Sequence, residues 1–111
     1  MNDAHHKAVD FMRDNAPALA KAKSQRVYLE EFRKSKKALL MKEAMLQKIE
    51  AANAQEREAY AHPEYLELLN GLAAAIEAEE TLKWRMEAAR LRVEIWRTES
   101  ANNRMVDRAH E

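Results

Sequence analysis

The stretch YLELLNGLAAAIEAEETLKWRMEAARLRVEIW, residues 65–96, decides the fold. Tyr65, Leu68, Leu72, Ala75, Glu79, Leu82, Met86, Ala89, Val93 and Trp96 recur at alternating spacings of three and four. That is a heptad seam held for over four heptads, the pattern of a long helix with one face covered. Leu66, Leu69, Ile76 and Ile95 widen the apolar surface. Leu68, Leu72, Leu82, Met86, Val93 and Trp96 are therefore expected in a core or oligomer seam. Glu79 interrupts the stripe. A carboxylate there needs a basic partner, such as Lys36 or Lys37, and would help to fix register. Gly71 lies inside the same helix at a cost of about 1 kcal/mol relative to Ala. Plain tolerance is one reading, and a close helix crossing is the sharper one.

Working outward, Ala61-His62-Pro63-Glu64 marks where this helix begins. The residue before a proline is biased away from helix, and proline suits the first helical position. The seam is lost after Ser100, so the helix is expected over residues 63–103 with a frayed tail. Residues 51–61 are weakly apolar and read as a helix end, a turn or both, with the turn placed at 53–62. Before them a second long helix is expected over 16–52. Tyr28, Phe32, Leu39, Leu46 and Ile49 form its apolar face, widened by Leu29, Leu40 and Met45 and interrupted by Ser35 and Lys42. Asn15 is a good cap and Pro17 falls in the first turn, which sets off a short N-terminal helix, 2–14, capped by Asn2 or Asp3. A continuous kinked helix is the alternative at Pro17.

The expected fold is therefore all-α. A short N-terminal helix leans on a long antiparallel, coiled-coil-like helical hairpin, and residues 1–111 make a single domain. Charged residues reach 34% and aromatics only 6%. Such helices bury little within one chain, so self-association as a dimer or higher oligomer is expected.

Composition excludes several classes. There is no cysteine, so disulfides and thiolate metal sites are ruled out. One glycine cannot build a Gly-rich phosphate loop, and no P-loop, HExxH, EF-hand or serine-elbow pattern occurs. No catalytic residue, cofactor or metal is expected, and the chain does not read as an enzyme. His5, His6 and Asp10 make at best a weak metal site. No signal peptide or membrane span is evident, so the expected location is the cytoplasm.

Net charge is zero, yet the charges are segregated. Nine bases face three acids from Lys21 to Lys48, whereas eight acids face one base from Glu50 to Glu80. Folded as a hairpin, the chain is expected to be acidic at its turn and basic away from it. The run Arg33-Lys34-Ser35-Lys36-Lys37 offers clustered cations of the kind that bind phosphate. A solvated, salt-bridged face is the plainer alternative. Trp84, between Lys83 and Arg85, is placed to stack on a nucleic-acid base, to cover the N-terminal helix or to meet a second subunit. Arg33, Lys34, Lys36, Lys37, Trp84 and Arg85 are thus the candidate nucleic-acid-binding residues.

Three phrases carry a family resemblance. They are the run from Tyr28 to Ala38, the run from Tyr60 to Tyr65 followed by Gly71-Leu72, and the run from Trp84 to Ala89 followed by Glu94-Ile95-Trp96-Arg97 and Ser100-Ala101-Asn102-Asn103-Arg104. Together they resemble small helical proteins of tailed bacteriophages and prophages, a family without an established activity. The resemblance covers about residues 2–107. It implies an accessory role in phage DNA recombination or replication in the host cytoplasm, exerted through protein contacts; contact with DNA is an expectation that the Arg33–Lys37 basic face alone carries. It transfers no catalytic residue. An adaptor or inhibitor that binds one host or phage protein through an exposed helix face is the alternative.

Overall fold

A computed structural model describes residues 3–110. They form three helices and no strand: α1 (Ala4–Leu46), α2 (Ala52–Ala61) and α3 (Pro63–His110). The expected cap at Asn2 lies outside the described residues. The chain divides into two units, one of residues 21–79 and one of residues 1–20 with 80–111.

Pro17 does not end a helix. It lies inside α1, so the expected short helix over 2–14 is not separate. Proline in a helix interior removes one hydrogen bond and costs about 3 kcal/mol or more. The carbonyl that loses its donor belongs to Arg13, an exposed residue that water can reach. A continuous helical stripe of buried and half-buried positions, Ala8, Phe11, Asn15, Leu19, Ala22 and Arg26, runs past the exposed proline. Asn15 does not cap; its side-chain amide donates to the Phe11 carbonyl at 2.9 Å.

The true stop comes earlier than the expected turn at 53–62. Ile49 N–H bonds to the Ala44 carbonyl and Lys48 N–H to the Met45 carbonyl, at 3.1 and 3.0 Å. This paired pattern is a Schellman stop, which needs a left-handed residue at its C′ position. Lys48 fills that position with φ 71°. Gln55 then reaches back from α2 and donates to the Ile49 carbonyl at 2.8 Å. Residues 52–61 are thus a helix, and the turn contracts to residues 47–51.

Between α2 and α3 only His62 is extended, as its position before Pro63 requires. Its imidazole Nδ1 accepts from the Glu64 N–H at 3.0 Å and so caps α3. At its far end α3 continues to His110 rather than stopping near residue 103.

In the unit of residues 21–79, all three helices meet. Leu40 of α1, Ala59 of α2 and Tyr65 of α3 are buried together, with Met41 and Leu69 packed on them. Leu72 and Ala44 are also buried. In the other unit, Ala8 and Ala89 are the buried apolar residues. His5 stacks on Trp96 with ring centroids 4.1 Å apart. Much of this core is alanine, and no large described side chain is fully buried. Gly71 is exposed, and a Cβ added there would meet nothing within 4 Å, so no close crossing accounts for it.

Candidate functional site

Two stripes run along the part of α1 between Lys21 and Leu46; of the apolar face read from the sequence, Leu29 and Leu40 turn inward, while Tyr28, Leu39 and Leu46 stay exposed. The inward stripe is Ala22, Arg26, Leu29, Arg33, Lys36, Lys37, Leu40 and Ala44, all buried or half-buried. Arg and Lys can occupy such positions because their methylene stems bury while their heads reach a carboxylate or water. The outer stripe carries Tyr28, Phe32, Leu39 and Leu46. Tyr28 is 64% exposed, Leu39 57% and Leu46 73%. Phe32 is half-buried, and its ring stacks on Tyr28 with centroids 5.8 Å apart.

The basic run is therefore partly consumed by the fold. Lys36 Nζ lies 2.9 Å from Glu64, and Lys37 Nζ lies 3.5 Å from Glu56. Lys37 also sits over the Tyr60 ring, 4.7 Å from its centroid. The Tyr60 hydroxyl first, and then Glu56, raise the Lys37 pKa against the opposing effect of desolvation. Lys34 pairs with Glu31 at 3.4 Å on the surface. Arg33, Lys34 and Lys37 line an open notch of about 360 Å³ with Tyr60 and Tyr65. Lys36 does not join them there.

Neither Lys36 nor Lys37 is the partner of Glu79. That partner is Arg26, whose guanidinium also bonds both oxygens of Glu30 at 3.0 Å. Glu79 first, then Glu30, hold the Arg26 pKa well above its usual value. The reason is register. Lys36 lies opposite Glu64, and Glu79 is fifteen residues farther along α3. At 1.5 Å per residue that is about 22 Å away. An early turn shifts every pairing, so the acidic arm comes to lie beside the basic one. Residues 21–79 carry ten basic and ten acidic side chains, and this unit has no net charge. Around the turn, residues 42–67 carry six acids against three bases, so this end of the unit keeps an acidic excess.

Trp84 and Arg85 belong to the other unit. Trp84 is 69% exposed. Arg85 lines a notch of about 360 Å³ with Lys7, Phe11 and Arg92. Along α3 the pairs Glu80–Lys83, Glu87–Arg90 and Glu94–Arg97 repeat every seven residues. Arg90 holds the Glu87 carboxyl below its usual range. These are surface ion pairs of modest worth.

Among the seam residues, Leu72 is buried, Leu68, Leu82, Met86 and Val93 are half-buried, and Trp96 is exposed though stacked on His5. No cluster of three metal-ligating side chains occurs among the described residues, and His5, His6 and Asp10 form none. No described helix is long and apolar enough to cross a membrane. Comparison with protein-family models, with curated proteins and with solved structures finds no match.

Proposed function

We propose that this is a non-enzymatic accessory protein that acts by protein contact through the outer face of α1. One observation carries the reading: Tyr28, Phe32, Leu39 and Leu46 stand on one face of a helix whose opposite needs are already met by α2 and α3. Exposed apolar anchors that recur on one helix face, here with Ser35 and Lys42 between them, suit an interaction site. A helix face presenting anchors at spacings of three and four suits a second helix. The partners are another copy of the chain, in a dimer or higher oligomer, and one host or phage protein in the setting that the resemblance implies. Capture from host lysate tests this, with Leu39→Glu as the control. A stoichiometric partner held by the wild type and lost by the variant supports the reading. Equal capture by both contradicts it.

A second reading has the protein assist DNA recombination or replication by touching nucleic acid directly. It is favoured by the notch in which Arg33, Lys34 and Lys37 meet Tyr60 and Tyr65, and by exposed Trp84 beside Arg85. The neutral unit around that notch offers little long-range attraction to phosphate. Fluorescence polarisation with single- and double-stranded oligonucleotides at low salt decides it. Binding that weakens in Arg33→Ala or Trp84→Ala supports this reading, and the absence of binding ends it.

A further inference from the structure

We infer that a second copy of this chain covers the outer stripe of α1, and that the two α1 helices meet antiparallel about a two-fold axis near residue 37. The inference rests on the protein-contact reading and specifies its occupant. The stripe runs Tyr28, Phe32, Ser35, Leu39, Lys42, Leu46, with spacings that alternate between four and three. Those are the a and d positions of a two-stranded seam.

The two interruptions choose the orientation. A parallel, in-register pair would set Lys42 against Lys42 inside the seam, where like charges repel. An antiparallel pair centred on residue 37 sets Lys42 against Phe32 of the second copy, beside Glu31. There the lysine stem covers the ring, and the ammonium reaches both the ring face and a carboxylate. Glu31 is available for this, because its present partner is exposed Lys34 at 3.4 Å. The same register sets Tyr28 against Leu46 and Ser35 against Leu39. Each contact then occurs twice, as an isologous interface requires, and the assembly closes as a dimer instead of growing into a filament.

The apolar stripe is bounded at both ends. Toward the N-terminus the same spacing continues through Gln25, Lys21, Ala18 and Asp14, which offer no large apolar anchor. At the other end α1 stops after Leu46. The contact is thus confined to residues 28–46, inside one unit. Exposed Val27 and Met45 flank this face, and the pair must bury on the order of 1,000 Å² over two copies to be specific.

The absence of cysteine makes the geometry directly readable. Tyr28→Cys and Leu46→Cys are made separately in the full chain, oxidised alone and as an equimolar mixture, and the cross-linked peptides are identified by mass spectrometry. The inference predicts little covalent dimer from either variant alone and a 28–46 cross-link in the mixture. Efficient cross-linking within each single variant would overturn it in favour of a parallel pair. A dimer by mass that yields no cross-link in the mixture would place the interface elsewhere. A monomeric mass would exclude a second copy, while the contact reading would still stand if Leu39→Glu lost a lysate partner. As an independent check, Glu31→Lys should weaken dimerisation about tenfold at low salt, and adding Lys42→Glu should restore it. Equal weakening by both charge changes would contradict the pairing.

Discussion

Arg26 of α1 reaches across to Glu79 of α3, a carboxylate only 5% exposed in the middle of the seam. The same guanidinium holds Glu30 one turn along its own helix. A buried carboxylate that loses its cation is left uncompensated, at a cost of about 3–5 kcal/mol. Arg26→Met should therefore destabilise the chain by an amount near the lower end of that range, since the pair keeps some access to water. Adding Glu79→Leu should recover most of the loss, because an apolar residue then completes the seam. Urea denaturation followed by circular dichroism measures both. Additive losses in the double variant would show that the pair is not coupled as described.

Lys48 occupies the left-handed position of the Schellman stop, where a side chain bearing a Cβ is disfavoured by roughly 1–2 kcal/mol. Glycine removes that strain but gives back some chain entropy when unfolded. Lys48→Gly should raise stability by about 0.5–1 kcal/mol. A loss of similar size would mean that the stop is not formed at residues 44–49.

Gly71 offers the opposite exchange. It is exposed within α3, and open space surrounds the position a Cβ would take. Gly71→Ala should stabilise by about 1 kcal/mol, the ordinary propensity difference in a helix interior. Destabilisation would reveal a close neighbour at this position, such as a second copy crossing there.

Two carboxylates contribute to the acid limb of stability. Lys36 beside Glu64, and Arg90 beside Glu87, hold these groups below their ordinary value of 4.5. A group with a depressed folded pKa binds its proton more readily in the unfolded chain. Its contribution is fully present above about pH 4.5 and is lost as the pH falls through the folded value. Both carboxylates keep much of their surface in water, so the effect is small. Melting temperatures below that pH should fall less steeply in Glu64→Gln than in the wild type. An unchanged acid slope would mean that the Lys36–Glu64 pair is not held in solution.

The α3 seam could be read from its sequence because local and long-range demands agree there. The seam positions Tyr65, Leu68, Leu72, Ala75, Glu79, Leu82, Met86, Ala89 and Val93 recur at heptad spacing, and the fold buries or half-buries each one. Pro63 could be read for the same reason, since it serves as the first residue of α3. The α1 faces could not. Apolarity pointed to Tyr28 and Leu39, while the partner helices instead cover the stems of Arg26, Lys36 and Lys37. The early stop was hidden because its left-handed residue is Lys48, not glycine or asparagine. Once the turn moved, the register moved with it, and the basic run met carboxylates that the sequence had placed elsewhere. Pro17 misled because a helix tolerates it where the orphaned carbonyl faces water and the stripe continues beyond it.

The central claim is that the outer face of α1 is a protein-contact surface which a second copy covers. Light scattering coupled to gel filtration tests it most directly, at micromolar concentration, on the intact chain and on Leu39→Glu. The account predicts twice 12.9 kDa for the wild type and 12.9 kDa for the variant. A wild type at 12.9 kDa, or a variant that keeps the doubled mass, would contradict it.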